Sequence, residues 1–180
     1  MTLHEQIEKA VEPLPLLQYG FIRPEELVFS ERVRYICQHE CSRYGTSWAC
    51  PPAVGSVEEC RRKCLRYEEG FVFVTVSEVP AGASFEEMLE GRRDHERAAV
   101  KIKKLLEEMG LEVFMLSTES CALCPECTYP SAPCRHPDRM FPCVESCGIL
   151  VTELAESCNV EFLYGEGVVT WFGLALFRRL

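Results

Sequence analysis

Gly70-Phe-Val-Phe-Val-Thr-Val-Ser77 and Leu111-Glu-Val-Phe-Met-Leu-Ser117 are the two runs that decide how this chain folds. Both are short, apolar and rich in β-branched and aromatic residues, so each reads as a buried strand. Between them, Ser84 and Glu87 have the spacing of a capping box, in which each satisfies a free backbone N–H at the start of a helix. Apolar residues then recur at Phe85, Met88, Leu89, Ala99, Ile102, Leu105, Leu106 and Met109, much of the row at helical spacing. Gly91-Arg92-Arg93-Asp94 interrupts that row and predicts a polar turn or an exposed stretch. Gly110 falls where a left-handed C-cap belongs. The order strand, helix, strand predicts a β-α-β unit with two parallel strands and a right-handed crossover. Its expected core is Phe71, Phe73, Val74, Leu89, Ile102, Leu105, Val113 and Leu116.

Working outward, Val57 to Tyr67 reads as a helix entering the first strand. Val144, Cys147, Gly148, Val151, Leu154, Ala155 and Cys158 share one stripe, which predicts a helix over 144–158. Val160–Tyr164 and Val168–Phe177 read as strands joined by a hairpin turn at Gly165-Glu166-Gly167. Val33–Ile36 reads as a short strand, and residues 1–30 as a helix plus an irregular Pro-containing arm. The expected fold is α/β, with α+β as the alternative. It is one domain over 1–180 with a central β-α-β unit, a mixed sheet and two Cys-rich metal-binding loops, in segments 37–64 and 121–147. His4 and His95 lie in polar helical surroundings and are expected at the surface.

The chain has 180 residues, 47% hydrophobic, 10% aromatic and 26% charged, which fits a globular protein and excludes a disordered one. A formal charge of −9, from 19 basic and 28 acidic residues, argues against a broad nucleic-acid surface. No apolar run reaches the roughly 18 residues of a membrane span. The start, Met1-Thr-Leu-His-Glu-Gln-Ile-Glu-Lys-Ala10, lacks the basic and apolar regions of a secretory signal, so the expected compartment is the cytoplasm. Thiols stay reduced there, and clustered cysteines read better as metal or redox ligands than as disulfides. There are twelve cysteines. Phosphate-loop, dinucleotide-loop, serine-hydrolase and zinc-protease motifs are missing.

Cys121-Ala-Leu-Cys124-Pro-Glu-Cys127, with Cys134 following, carries the strongest chemical signal. Thiolates two residues apart in a tight loop wrap one corner of an iron–sulfur cluster, and bacterial ferredoxins use the same triple. Here Cys134 is preceded by Pro133, whereas in ferredoxins a proline follows the last cysteine. The triple also begins just after the strand 111–117, at its carboxyl end, where open α/β sheets place ligands. A zinc site and redox or structural thiols are the competing readings. Cys37, Cys41 and Cys50-Pro51-Pro52 suggest a second metal loop with three sulfurs, and His39 is a candidate fourth ligand. Cys60 and Cys64 have i,i+4 spacing. Cys60 is a candidate additional ligand or a core residue, and Cys64 reads as core. Cys143 follows Pro142 at an expected helix start, where partial positive charge favours a thiolate, so it is a spare ligand candidate. Cys147 and Cys158 read as core. Arg135, His136 and Arg139 stand beside the triple, placed either to tune a cluster or hold an anion, or to form a solvated turn with Asp138. Trp48 and Tyr44 either cover the first cysteine loop from water or simply pack.

At these residues the sequence resembles the DUF2284 family of predicted metal-binding proteins. The resemblance rests on Cys37-x3-Cys41-x2-Tyr44-Gly45 leading to Cys50-Pro51-Pro52, and on Cys121-x2-Cys124-x2-Cys127-Thr128-Tyr129-Pro130. Pro133-Cys134-Arg135 and the closing Thr170-Trp171-Phe172-Gly173-Leu174 complete it. It implies a cysteine-bound metal centre and no particular biochemical role. The family pattern carries a Ser and a non-Cys residue near 143 and 147, so Cys143 and Cys147 depart from it.

The expected function is that of a cytoplasmic iron–sulfur protein in electron transfer or redox sensing. A [4Fe–4S] centre would sit at Cys121, Cys124, Cys127 and Cys134, with a second three-Cys cluster at Cys37, Cys41 and Cys50. An open iron there would permit enzymatic chemistry. The partner would be a redox protein. The alternatives are a zinc-binding structural or interaction module and a thiol-based metal-transfer protein.

Overall fold

Apart from the side chain of Phe85, the computed structural model describes residues 1–180, so Phe85's place in the apolar row lies outside the described residues. Along the chain run α1 (Leu3–Val11), β1 (Gln18–Ile22), α2 (Glu31–Glu40), α3 (Val57–Cys64), β2 (Glu69–Glu78), α4 (Phe85–Glu108), β3 (Leu111–Leu116), α5 (Val151–Ser157) and β4 (Val168–Arg179). The strands form one sheet in the order β1-β2-β4-β3. All three ladders are antiparallel. A parallel bridge between Ser117 and Cys143, just beyond β3, gives the sheet its mixed character.

The β-α-β unit is therefore split. β2 and β3 run in the same direction, as expected, but β4 lies between them and pairs with both. The sequence misleads here for a physical reason. An unbroken apolar run marks a strand covered on both faces, which is the usual state of a parallel strand. In this sheet antiparallel strands are covered on both faces. Phe71 and Phe73 of β2 join Ala175 and Phe177 of β4 beneath α1 and α4, with Ile7, Ala99, Ile102 and Leu106. Val72 and Val74 join Phe172, Leu174 and Leu176 on the other face, with Cys60, Cys64, Cys147, Ile149 and Leu154.

α4 begins at the predicted capping box, where Glu87 N–H donates to Ser84 Oγ and Ser84 N–H to Glu87 Oε2. It then runs to Glu108 without the interruption expected at 91–94. Gly91 explains why. A Cβ there would lie 2.1 Å from Ser77 Oγ, so glycine lets the helix press against the bond from Trp171 Nε1 to Ser77 Oγ. His95 is fully buried, not exposed: it stacks on Phe73 and shares a 2.9 Å hydrogen bond with Thr75 Oγ1. Leu89 is half-buried and lines a cavity described below, rather than joining the core.

Three other expectations are corrected. Val33–Ile36 belongs to α2, whose first turn is capped by Ser30. The stripe over 144–158 is cut at Gly148 (φ +81°), leaving a 3-10 turn at Glu145–Cys147 and then α5. Residues 160–164 form no strand, and Gly165-Glu166-Gly167 leads into β4 from irregular chain. β1, within the expected arm, pairs with β2. No helix is long and apolar enough to cross a membrane among the described residues.

Candidate metal centre

The second cysteine loop grows from the carboxyl end of β3. Its base is closed by Ser117 N–H donating to Pro142 O and Val144 N–H donating to Ser117 O. Ser117 Oγ also donates to the Glu96 carboxylate on α4, at 2.6 Å. Between these ties the chain makes turns and no regular element. Arg135 Nη1 donates to Glu126 O, Thr128 Oγ1 to Pro133 O and Ala132 N–H to Thr128 O, folding the loop back on itself.

That fold brings Cys121, Cys124, Cys127 and Cys134 around one small cavity, shared with Trp48, Leu123, Met140, Arg135 and His136. The cavity is about 20 Å³, room for about one water molecule, so a larger group enters only as the surrounding loop gives. His136 N–H points to Cys134 Sγ at 3.4 Å. Burial pushes the Cys121 thiol up, and the Leu123 backbone N–H works against that rise.

The first loop meets the second. Val28–Ser30 pairs with Gly148–Leu150 through a Phe29–Ile149 bridge, and Arg34 donates to Ser146 O and Gly55 O. Cys37 lies on α2 and Cys41 caps its end. Buried Cys50 points its thiol at Ser120 Oγ, 3.3 Å away, one residue before Cys121. Ser47 Oγ is 3.1 Å from the same hydroxyl. Trp48 Nε1 donates to Ala132 O and its ring meets Tyr129 edge-on at 5.0 Å. Both cysteine loops thus share one end of the domain, and Trp48 of the first helps wall the cavity of the second.

Electrostatics link the first group internally. Burial raises the Cys37 thiol, and the charges of Cys41 and Cys50 raise it further. Cys143 is raised well above the ordinary thiol range, first by burial and next by Glu145, with Cys50 also contributing, although Ser146 N–H reaches its sulfur at 3.2 Å. His39 turns away, stacking on Tyr35 and bonding its carbonyl.

Cys60, Cys64 and Cys147 are 3%, 0% and 2% exposed and belong to the core layer. Cys147, beside it in the core, draws the Cys60 thiol down against the effect of burial, with help from Arg34. Burial pushes Cys64 up to about 12. Cys158 is half-buried against the same layer, with its thiol up at about 11.

Among the described residues, no group of three or more His, Cys, Asp or Glu side chains is arranged to hold a metal ion. The cysteine-rich loops are therefore present, but neither contains a preformed site for one ion. The donor chemistry nevertheless fits a thiolate-bound group, because four cysteines line one space and a backbone N–H points at the sulfur of one of them.

The family model described as "Predicted metal-binding protein (DUF2284)" matches residues 20–177. The chain belongs to the DUF2284 family. No curated protein and no solved structure matches it. The DUF2284 match spans both cysteine loops and all four strands of the sheet except the first two residues of β1 and the last two of β4.

Sequence reasoning missed the neighbours of Cys121 on α4. Arg92, Glu96 and Arg93 turn towards the loop and wall a second, larger cavity that also touches Cys121. The available signal was the polar break at 91–94, which reads as a turn and is instead the polar face of a continuous helix.

Proposed function

We propose that this DUF2284 protein is a cytoplasmic iron–sulfur protein that carries electrons or senses redox state, with a [4Fe–4S]-type cluster held by Cys121, Cys124, Cys127 and Cys134. One observation carries the reading: four thiols from a single loop line one cavity. Thiolates around a zinc ion sit about 2.3 Å from it, and no three donors are drawn together for one ion among the described residues. The C-x2-C-x2-C spacing of Cys121, Cys124 and Cys127 is that of a cluster loop. Cys37, Cys41 and Cys50 form a second centre in the same reading, with Cys143 as a spare donor. Cys60 lies in the core layer and adds no ligand.

When bound, such a cluster supplies a reversible one-electron step. The chain's own part is to hold it and set its surroundings. The His136 N–H aimed at Cys134 Sγ is placed to stabilise charge on sulfur. Trp48, Leu123 and Met140 keep water from the sulfurs, and Arg135 ties the loop by its bond to Glu126 O.

Anaerobic purification with iron, sulfide and zinc analysis tests this. The expected protein is brown, with iron and sulfide in equal amounts. Cys124→Ser and Cys127→Ser lose most iron from this loop, since a hydroxyl is a much harder donor than a thiolate. Cys158→Ser leaves iron nearly unchanged. Colourless protein with stoichiometric zinc would instead establish the structural zinc module. Metal that exchanges freely with added thiols would point to a metal-transfer protein.

A further inference from the structure

A cavity of about 820 Å³ opens beside the four-cysteine loop, between α4 and both cysteine loops. Its size is that of a small-molecule site. Its charge runs against that of the chain. Arg43, Arg92, Arg93, Arg97, Lys101 and Arg139 line it, on a protein with a formal charge of −9. Glu86, Glu90 and Glu96 are the acidic side chains in the lining. Two of the cations are already paired, Arg97 with Asp94 at 2.7 Å and Arg92 with Glu96 at 3.7 Å. Arg43, Arg93, Lys101 and Arg139 enter no ion pair among the described residues.

Arg92 is the buried cation of the lining. It is 9% exposed, and its Nε is a buried donor with no hydrogen-bond partner. That atom is shut off from the cavity, so a ligand would meet the exposed guanidinium groups of Arg43, Arg93 and Arg139 instead. Leu89, Val100, Leu123 and Phe141 supply an apolar wall beside these charges. Cys121 and Leu123 line this cavity and the four-cysteine cavity alike.

We propose that this cavity binds a small organic oxyanion, with a carboxylate or phosphate head held by the arginines and an apolar body lying against Leu89, Val100 and Phe141. Planar guanidinium forks match both head groups, whereas a neutral molecule leaves them unanswered. The binding stands on the cavity alone. Its position beside a redox group rests on the cluster reading above.

Calorimetric titration of the anaerobically purified protein with phenyl phosphate, benzoate, inorganic phosphate and phenol tests it. Phenyl phosphate or benzoate is expected to saturate with a Kd at or below about 1 mM, and which one binds tighter identifies the head group. Inorganic phosphate should bind more weakly and phenol should not saturate. Both Arg93 and Arg139 are exposed, so the double variant Arg93→Gln with Arg139→Gln should fold, as far-UV circular dichroism would verify. It should bind about tenfold or more weakly, because two of the four unpaired cations of the lining are removed. Lys104→Gln, outside the cavity, should bind as the parent does. Three results would overturn the site: no saturation with any anion, phenol binding as tightly as phenyl phosphate, or full affinity in the double variant. The last would mean that the anion is held elsewhere than among these cations. Iron and sulfide measured on the same sample keep the two readings apart. Iron-free protein that binds phenyl phosphate sinks the cluster alone, and iron-loaded protein that binds no anion sinks the cavity alone.

Discussion

The sheet and the cysteine loops are built on opposite terms. In β2, Phe71, Val72, Phe73 and Val74 are all 0% exposed, each face of the strand closed by its own layer of helices. From 118 to 142 the chain has no helix or strand, and all four cysteines facing the small cavity are only half-buried. The strands bury enough apolar surface to hold themselves. The loop is pinned at its base by Ser117 and otherwise by scattered side-chain to backbone bonds. Order in one region comes from the chain alone. In the other, on the function proposed above, the group held by the cysteines would add its binding free energy to the folded loop.

Iron removal gives this contrast its largest expected effect. In chelated protein, kept anaerobic and reduced, amides in 118–142 should exchange with opening free energies near zero, while those of β2 and β3 keep values close to global stability. Reconstitution with iron and sulfide should slow the loop amides and leave the strands unchanged. Equal protection in both regions of the metal-free protein would mean that the loops are held by packing and the contrast is false.

The same contrast explains what could be read from the sequence. β2, α4 and β3 are legible because burial writes unbroken apolar runs into the strands and a helical period into α4. The split of the β-α-β unit was not, because nothing in two strands tells that a third, 50 residues on, will slide between them; only the pairing of Trp171 with Thr75 and of Phe177 with Val113 decides it. β1 was missed because Gln18-Tyr19-Gly20-Phe21-Ile22 is short, carries a glycine and buries only Ile22 fully. Residues 160–164 looked like a strand, yet Val160 alone is buried while Phe162 and Leu163 face solvent at 40% and 76%. For the site, spacing along the loop was enough to group Cys121, Cys124, Cys127 and Cys134. The basic cavity was not legible, since Arg43, Arg92 and Arg139 come from three distant segments.

A core substitution sharpens the contrast from the other side. Phe73 is fully buried between the helical layer and the sheet, and its ring lies where a side chain at position 173 would stand. Phe73→Ala should cost about 3–5 kcal/mol of stability in denaturant unfolding. Iron per folded molecule should stay at the parent level, because no cysteine belongs to the core layer around this residue. Loss of iron in protein shown to be folded would tie the loop to the core more tightly than the contrast allows.

The most gradual effect follows pH and belongs to His95. Sequence reasoning expects it at the surface, but it lies at 0% exposure with Nδ1 against Thr75 Oγ1 and its ring over Phe73. Burial pushes its imidazole down from 6.5 to about 3. The folded state therefore refuses a proton that the unfolded chain accepts. Above pH 6.5 neither state is protonated and stability is full. As pH falls from there towards 3, the unfolded chain gains the proton first and stability declines, by at most about 1.4 kcal/mol per pH unit. His95→Gln removes the titrating group, and its stability profile over that interval should be flatter than the parent's by that slope. Urea unfolding of the two proteins in the same buffers measures the difference directly. Parallel profiles would mean that His95 takes up its proton in the folded state, and that water reaches this part of the core.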